Sequence, residues 1–168
     1  KLDNKSNFLR LGLNSMQQYR IKFILGKITA YVDALRLGKT TVDDLTSYTQ
    51  TAVEIEHIMP QTCADKELYG MNDEDFSVYI NRLGNLTLLE NSINKSIHND
   101  VYANKSKAYK QSKFYLTSSL SELVNQGHDT AINRTNSLLF AWSDWNKRSI
   151  EERQEMLYRL SEMIWEMS

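Results

Sequence analysis

Over residues 19–37 the apolar positions Ile21, Ile24, Leu25, Ile28, Val32 and Leu35 return every three or four residues, and Gly38 follows as a C-cap. That spacing predicts an amphipathic helix with one buried stripe. Over 52–58 the period shortens to two: Val53, Ile55 and His57 alternate with Glu54 and Glu56 ahead of Pro60. The pattern is that of a short strand ended by proline, with two acids on one face and the histidine on the other. Residues 61–74 are polar and loop-like, 74–81 suit a short helix stopped near Gly84, and 86–89 form a second, very short apolar strand. Beyond Leu89 the chain turns polar with helical character, and 114–145 read as two helical pieces separated by Gly127. Ser149, with Glu152 three residues on, makes a capping box for a last helix whose stripe is Ile150, Leu157, Leu160, Ile164 and Met167.

This order predicts an α+β class, mostly helical, with a small strand-strand-helix centre. A single domain over 1–168 is expected, with a core at about 50–113 and helical flanks at 15–40 and 114–167. One proline and six glycines among 168 residues argue against a many-turned all-β fold and agree with the helical lean. No apolar run is long enough to cross a bilayer, and the N-terminal stretch lacks the apolar core of a signal peptide, so a cytoplasmic location is expected. The absence of an initiating Met suggests the C-terminal part of something longer.

Cys63 is the only cysteine, which excludes an intrachain disulfide and any zinc site built on two thiolates. A metal ion would have to rest on oxygen and imidazole donors. With 20 basic and 21 acidic side chains the net charge is −1, so no polyanion partner follows from the overall balance. Charge is uneven, however: Lys95, Lys105, Lys107, Lys110 and Lys113 face one acid, Asp100, within 95–113. Such a run is commonly a solvated helix face; beside a phosphodiester site it becomes a phosphate-contact patch, with Lys95, Lys105 and Lys107 the better candidates.

Candidate chemistry gathers at the centre, where Glu56-His57 precedes Pro60, Asn85 opens the second strand, and Asn94 follows nine residues later. If the strands pair and the next segment crosses them as a helix, these residues converge on one site. Neutral imidazole accepts a proton near pH 7, which suits His57 to act as general base. Glu56 and Asn94 offer hard oxygen donors of the kind that hold Mg²⁺ or Mn²⁺ with several retained waters. Asn85 can hold the imidazole in one tautomer through its side chain or backbone. Asn91 competes for the Asn94 role, His98 shares the Asn94 face if the helix continues, and Glu54 reads as a solvated edge-strand acid.

The stretches EIEHIMPQT and LGNLTLLENSIN resemble the HNH, or His-Me finger, nuclease motif. That resemblance implies a ββα unit binding one metal ion and hydrolysing nucleic-acid phosphodiesters, with His57, Asn85 and Asn94 as its catalytic residues and Glu56 and Asn94 as its metal ligands. Glu90 and Ile93 stand where zinc-stapled relatives carry cysteines, so no structural zinc is expected. With Asn99, Lys105, Trp145, Ile150, Arg153 and Trp165, the blocks are similar to the C-terminal domain of GmrSD-type restriction enzymes and of the related SspE-type proteins. The likeness implies a DNA endonuclease of a phage-restriction system, a DNA surface including Lys95, Lys105, Lys107 and His98, and an N-terminal ParB-like nucleotide-hydrolysing sensor domain as partner. The alternative is a non-catalytic helical interaction or DNA-binding module with a degenerate nuclease core.

Overall fold

A computed structural model describes residues 4–42 and 44–166. A short turn, α1 (Lys5–Phe8), leads into the long α2 (Gln18–Arg36), and α3 (Thr46–Thr49) precedes the strand β1 (Val53–His57). After α4 (Asp73–Tyr79) and a single 3₁₀ turn (Leu83–Asn85) comes β2 (Leu86–Glu90), followed at once by α5 (Asn91–Ile97) and then α6 (Tyr102–Tyr109). The rest comprises α7 (Tyr115–Ser118), α8 (Ala131–Asn136) and α9 (Lys147–Glu166).

The long apolar stripe of α2 makes it the central support. Ile21, Leu25, Ile28 and Val32 are fully buried, and the helix packs against α3, α7, α8, α9 and β2. Its end is a Schellman motif: the Lys39 N–H reaches the Ala34 carbonyl at 2.8 Å and the Gly38 N–H reaches that of Leu35 at 2.9 Å. Gly38 takes φ +73°, a conformation natural to glycine, so the predicted stop is explained by backbone chemistry.

β1 and β2 pair antiparallel in the register Glu54 with Leu89, Glu56 with Thr87 and His57 with Leu86. α5 starts directly after β2 and touches both strands. The centre is thus strand, strand, helix, in the predicted order.

Two expectations need correction. The helix expected to begin at a Ser149–Glu152 box starts at Lys147, where Asn146 is the cap: its Oδ1 accepts from the Ser149 N–H at 3.1 Å and Ser149 Oγ accepts from the Asn146 N–H at 3.3 Å. Ser149 is the far partner of the box rather than its first residue, while Glu152 accepts from Trp142 Nε1 at 3.0 Å. Ile150, Leu157 and Leu160 are buried as expected; Met167 lies outside the described residues. The two helical pieces expected over 114–145 shrink to α7 and α8. Aromatic packing holds much of that stretch without helix: Tyr102 and Trp145 stack with centroids 5.4 Å apart, Trp142 meets Trp145 edge-on, and Tyr102 OH donates to the Trp142 carbonyl at 2.7 Å.

Candidate active site

His57 ends β1, opposite Leu86, and is almost fully buried. Its Nε2 lies 3.1 Å from Asn81 Oδ1, while Asn81 Nδ2 donates to Asn14 Oδ1 at 2.9 Å. With the amide NH₂ committed to Asn14, the oxygen faces the ring, so the imidazole brings the proton on Nε2. Nδ1 then keeps its lone pair. Burial pulls the His57 pKa below its ordinary value, outweighing the opposing pull of Asn81 and Glu56. The ring is therefore neutral at pH 7, the state a proton acceptor needs.

Glu56 points from the other face of β1 into a buried polar knot. Lys105 Nζ donates to its Oε1 at 2.7 Å and Tyr109 OH to the same oxygen at 2.8 Å. The same ammonium also donates to the His57 carbonyl at 2.7 Å, so one cation fixes both halves of the Glu56-His57 pair. Both side-chain hydrogen bonds fall on Oε1, and Oε2 takes neither. Burial, chiefly, and the Glu56 charge drive the Tyr109 pKa well up, so its phenol stays a donor. Lys105 is 1% exposed, which corrects its expected place in a phosphate-contact patch: it is an internal clamp. Lys95 and Lys107 do lie exposed on α5 and α6.

Asn94, half-buried on α5, donates through Nδ2 to Glu54 Oε2 at 2.6 Å. Glu54 is thus a partner of the candidate ligand and not a bare solvated acid. With Nδ2 engaged, Asn94 Oδ1 is the atom left for a ligand. Asn91, the competing amide, is not among the residues lining the cleft described below. The expectation for Asn85 also changes. Its Oδ1 accepts from the Met59 N–H at 2.8 Å and Trp145 Nε1 at 3.0 Å, and Nδ2 donates to the Ile80 carbonyl at 2.9 Å. The side chain does not touch the imidazole; it locks the turn leaving β1, and the Asn85 carbonyl accepts from the Ile58 N–H at 2.9 Å.

These groups open onto one cleft of about 250 Å³ lined by Ile55, Glu56, His57, Gln61, Asn94, His98, Asn99 and Lys105. His98 reaches it by ending α5 at φ +35°, ψ −125°, so the helix does not continue through it. Asn99 Nδ2 ties the wall together by donating to Thr62 Oγ1 at 2.8 Å. Among the described residues, no three His, Cys, Asp or Glu side chains group into a metal site. The hard donors the cleft offers a cation are the Glu56 carboxylate and the Asn94 amide oxygen, a set whose chemistry suits Mg²⁺ with retained waters better than a soft or thiophilic ion.

A family model described as GmrSD restriction endonucleases, C-terminal domain, matches residues 2–160. The chain belongs to this family. Membership makes it part of a restriction-nuclease lineage whose substrate is DNA. No curated protein and no solved structure matches it. Among the described residues of this GmrSD domain no helix is long and apolar enough to cross a membrane.

Sequence reasoning gives no role to Asn81, Gln61 or Tyr109. Asn81 has no local signal, because it meets His57 only through an irregular crossing where Gly12 bridges Arg82. Tyr109 lies four residues after Lys105 on α6, and that spacing was its one available clue.

Proposed function

We propose that this GmrSD domain is a metal-dependent DNA endonuclease of the HNH type, with His57 as general base. The observation that carries this reading is the single cleft lined by Glu56, His57 and Asn94. Each has one polar atom engaged by a partner, Lys105 and Tyr109 for Glu56, Asn81 for His57, Glu54 for Asn94, while its other donor or acceptor atom is left for chemistry.

His57 Nδ1 takes the proton of a water as that water attacks phosphorus, and Nε2–H stays on Asn81. The positive charge that develops on the ring is stabilised by the nearby Glu56 carboxylate. Glu56 and Asn94 are the residues that would hold Mg²⁺ or Mn²⁺, which when bound offsets charge on the phosphate and the leaving oxygen. His98, which lines the cleft, and the exposed Lys95 and Lys107 on α5 and α6 are the phosphate contacts of this reading. A neutral domain binds DNA weakly by itself, so a ParB-like nucleotide-hydrolysing sensor domain of the same protein is the expected means of delivering it.

The test is nicking of supercoiled DNA in Mg²⁺ or Mn²⁺ against a chelator control. His57→Ala is expected to lose about 100- to 10,000-fold in rate with the fold intact. Undiminished nicking by that variant removes the base assignment, and nicking that persists in chelator removes the metal.

A further inference from the structure

The first half of α2 carries a surface that the cleft does not use. From Gln18 to Ala30 the helix holds Arg20, Lys22 and Lys27 and no acid. Tyr19 and Phe23, one turn apart, are 63% and 46% exposed, unusual for rings on the helix that supports the core. The Arg20 guanidinium lies 5.7 Å from the Tyr19 ring centroid and the Lys27 ammonium 5.5 Å from that of Phe23. Between this face and α3 runs a groove of about 470 Å³, lined by Met16, Tyr19, Arg20, Lys22, Phe23 and Thr49 among others, none of them acidic.

A mainly apolar groove that carries two aromatic rings and only positive charge matches a polymer that alternates planar rings with anions. Arg20 Nε donates to Tyr19 OH at 3.0 Å, and a purely apolar helix seated there would strip water from the remaining donors of Arg20 and Lys22 without offering them an anion. A closed duplex hides its base faces, whereas a single strand presents them for stacking. The groove is also tied to the strand that carries the cleft. Lys22 Nζ donates to the Gln50 carbonyl at 2.8 Å, just before β1, and it feels the charge of Glu54, the acid that holds Asn94.

We propose that the groove between α2 and α3 binds a single-stranded stretch of the DNA substrate beside the cut phosphate, with bases stacked on Tyr19 and Phe23 and phosphates on Arg20 and Lys22. The proposal rests on the nuclease reading for where the strand leads, and the binding assay below does not depend on cutting. Affinity of the full chain for a labelled single-stranded oligodeoxynucleotide is measured by fluorescence anisotropy in chelator. The double variant Tyr19→Ala/Phe23→Ala is expected to raise Kd roughly tenfold or more. Tyr19→Phe is expected to bind normally, and Arg20→Ala to flatten the salt dependence by about 0.7 in log-log slope. Thermal melting by circular dichroism confirms that each variant is folded. Unchanged affinity in a folded double variant overturns the proposal. So does normal DNA binding combined with weakened attachment to the remainder of the restriction enzyme, which would make the groove a protein-docking face. His57→Ala separates the two readings: it is expected to abolish nicking and leave this affinity untouched.

Discussion

At the scale of single residues, the chemistry turns on which imidazole nitrogen is free. Asn81 lies against Nε2, which in the proposed mechanism leaves Nδ1 to take the proton from water. Because burial lowers the His57 pKa, the base is predominantly neutral above the ordinary value of about 6.5, and activity is expected to fall as pH drops below it, through the folded-state pKa. Stability follows the same sign. The unfolded chain binds the proton more readily, so the stability contributed by the neutral ring is complete above about pH 6.5 and is lost as pH falls through the lowered pKa. Asn81→Ala is expected to cost about 10- to 100-fold in rate, the usual size for a residue that orients a working side chain. Asn81→Asp makes a sharper test, since a carboxylate beside Nε2 raises the imidazole pKa. The acidic limb of the pH-rate profile should move to higher pH, and a limb that stays in place would deny Asn81 its positioning role.

At the scale of elements, the site depends on how α6 and α9 grip the two strands. Lys105 from α6 joins Glu56 inside the protein with both side chains nearly sealed from water. Lys105→Met leaves the carboxylate buried without its cation and is expected to destabilise the fold by about 3–5 kcal/mol in urea unfolding. Adding Glu56→Gln removes the stranded charge and should restore part of that loss. A double variant no more stable than Lys105→Met would mean that the pair does not act as a unit. On the other side, Arg153 of α9 is wholly buried and donates through Nη1 to the Gly84 and Leu86 carbonyls at 2.9 and 2.6 Å. A Cβ on Gly84 would sit 2.2 Å from the Ile150 carbonyl oxygen. Gly84→Ala is therefore expected to push α9 off the turn that carries Asn85, lowering the melting temperature and nicking together. A variant with an unshifted melting temperature would show that α9 does not seat on that turn.

The same elements mark what could be read from sequence. α2 was legible because its stripe is long and its stop is a local glycine motif. The strand pair was legible because β1 carries a period of two in its sequence and β2 is a short apolar run, although Glu56 on the expected polar face is buried. Glu56, His57 and Asn94 fell into one cleft because β1 pairs with β2 and α5 follows β2 directly. Asn81, Glu54 and Lys105 were misjudged or missed because their roles arise from contacts between segments distant in the chain, 24, 40 and 49 residues apart. The stretch over 114–145 misled for another reason: its apolar residues are buried by aromatic packing, which imposes no helical period.

At the scale of the whole molecule, a net charge of −1 gives no long-range pull on DNA, so any steering must come from where the charges lie. They are unevenly placed, with Lys66 and Lys147 pairing Asp73 and Asp75. Asp73, Glu74 and Asp75 crowd the first turn of α4, whereas Lys95 and Lys107 project from the helices that follow β2. Lys105 is removed from that patch by burial, which leaves fewer phosphate contacts than the lysine count suggests. Affinity for duplex DNA should therefore be modest and fall with a shallow salt slope. If Lys95 and Lys107 each neutralise one phosphate, the double variant Lys95→Ala/Lys107→Ala should reduce that slope by about two units, while Lys110→Ala, whose ammonium is 2.9 Å from Glu122, should barely alter it. Equal slopes for all three proteins would assign the lysines to solvation alone and shift the phosphate contacts to His98 and the α2 face.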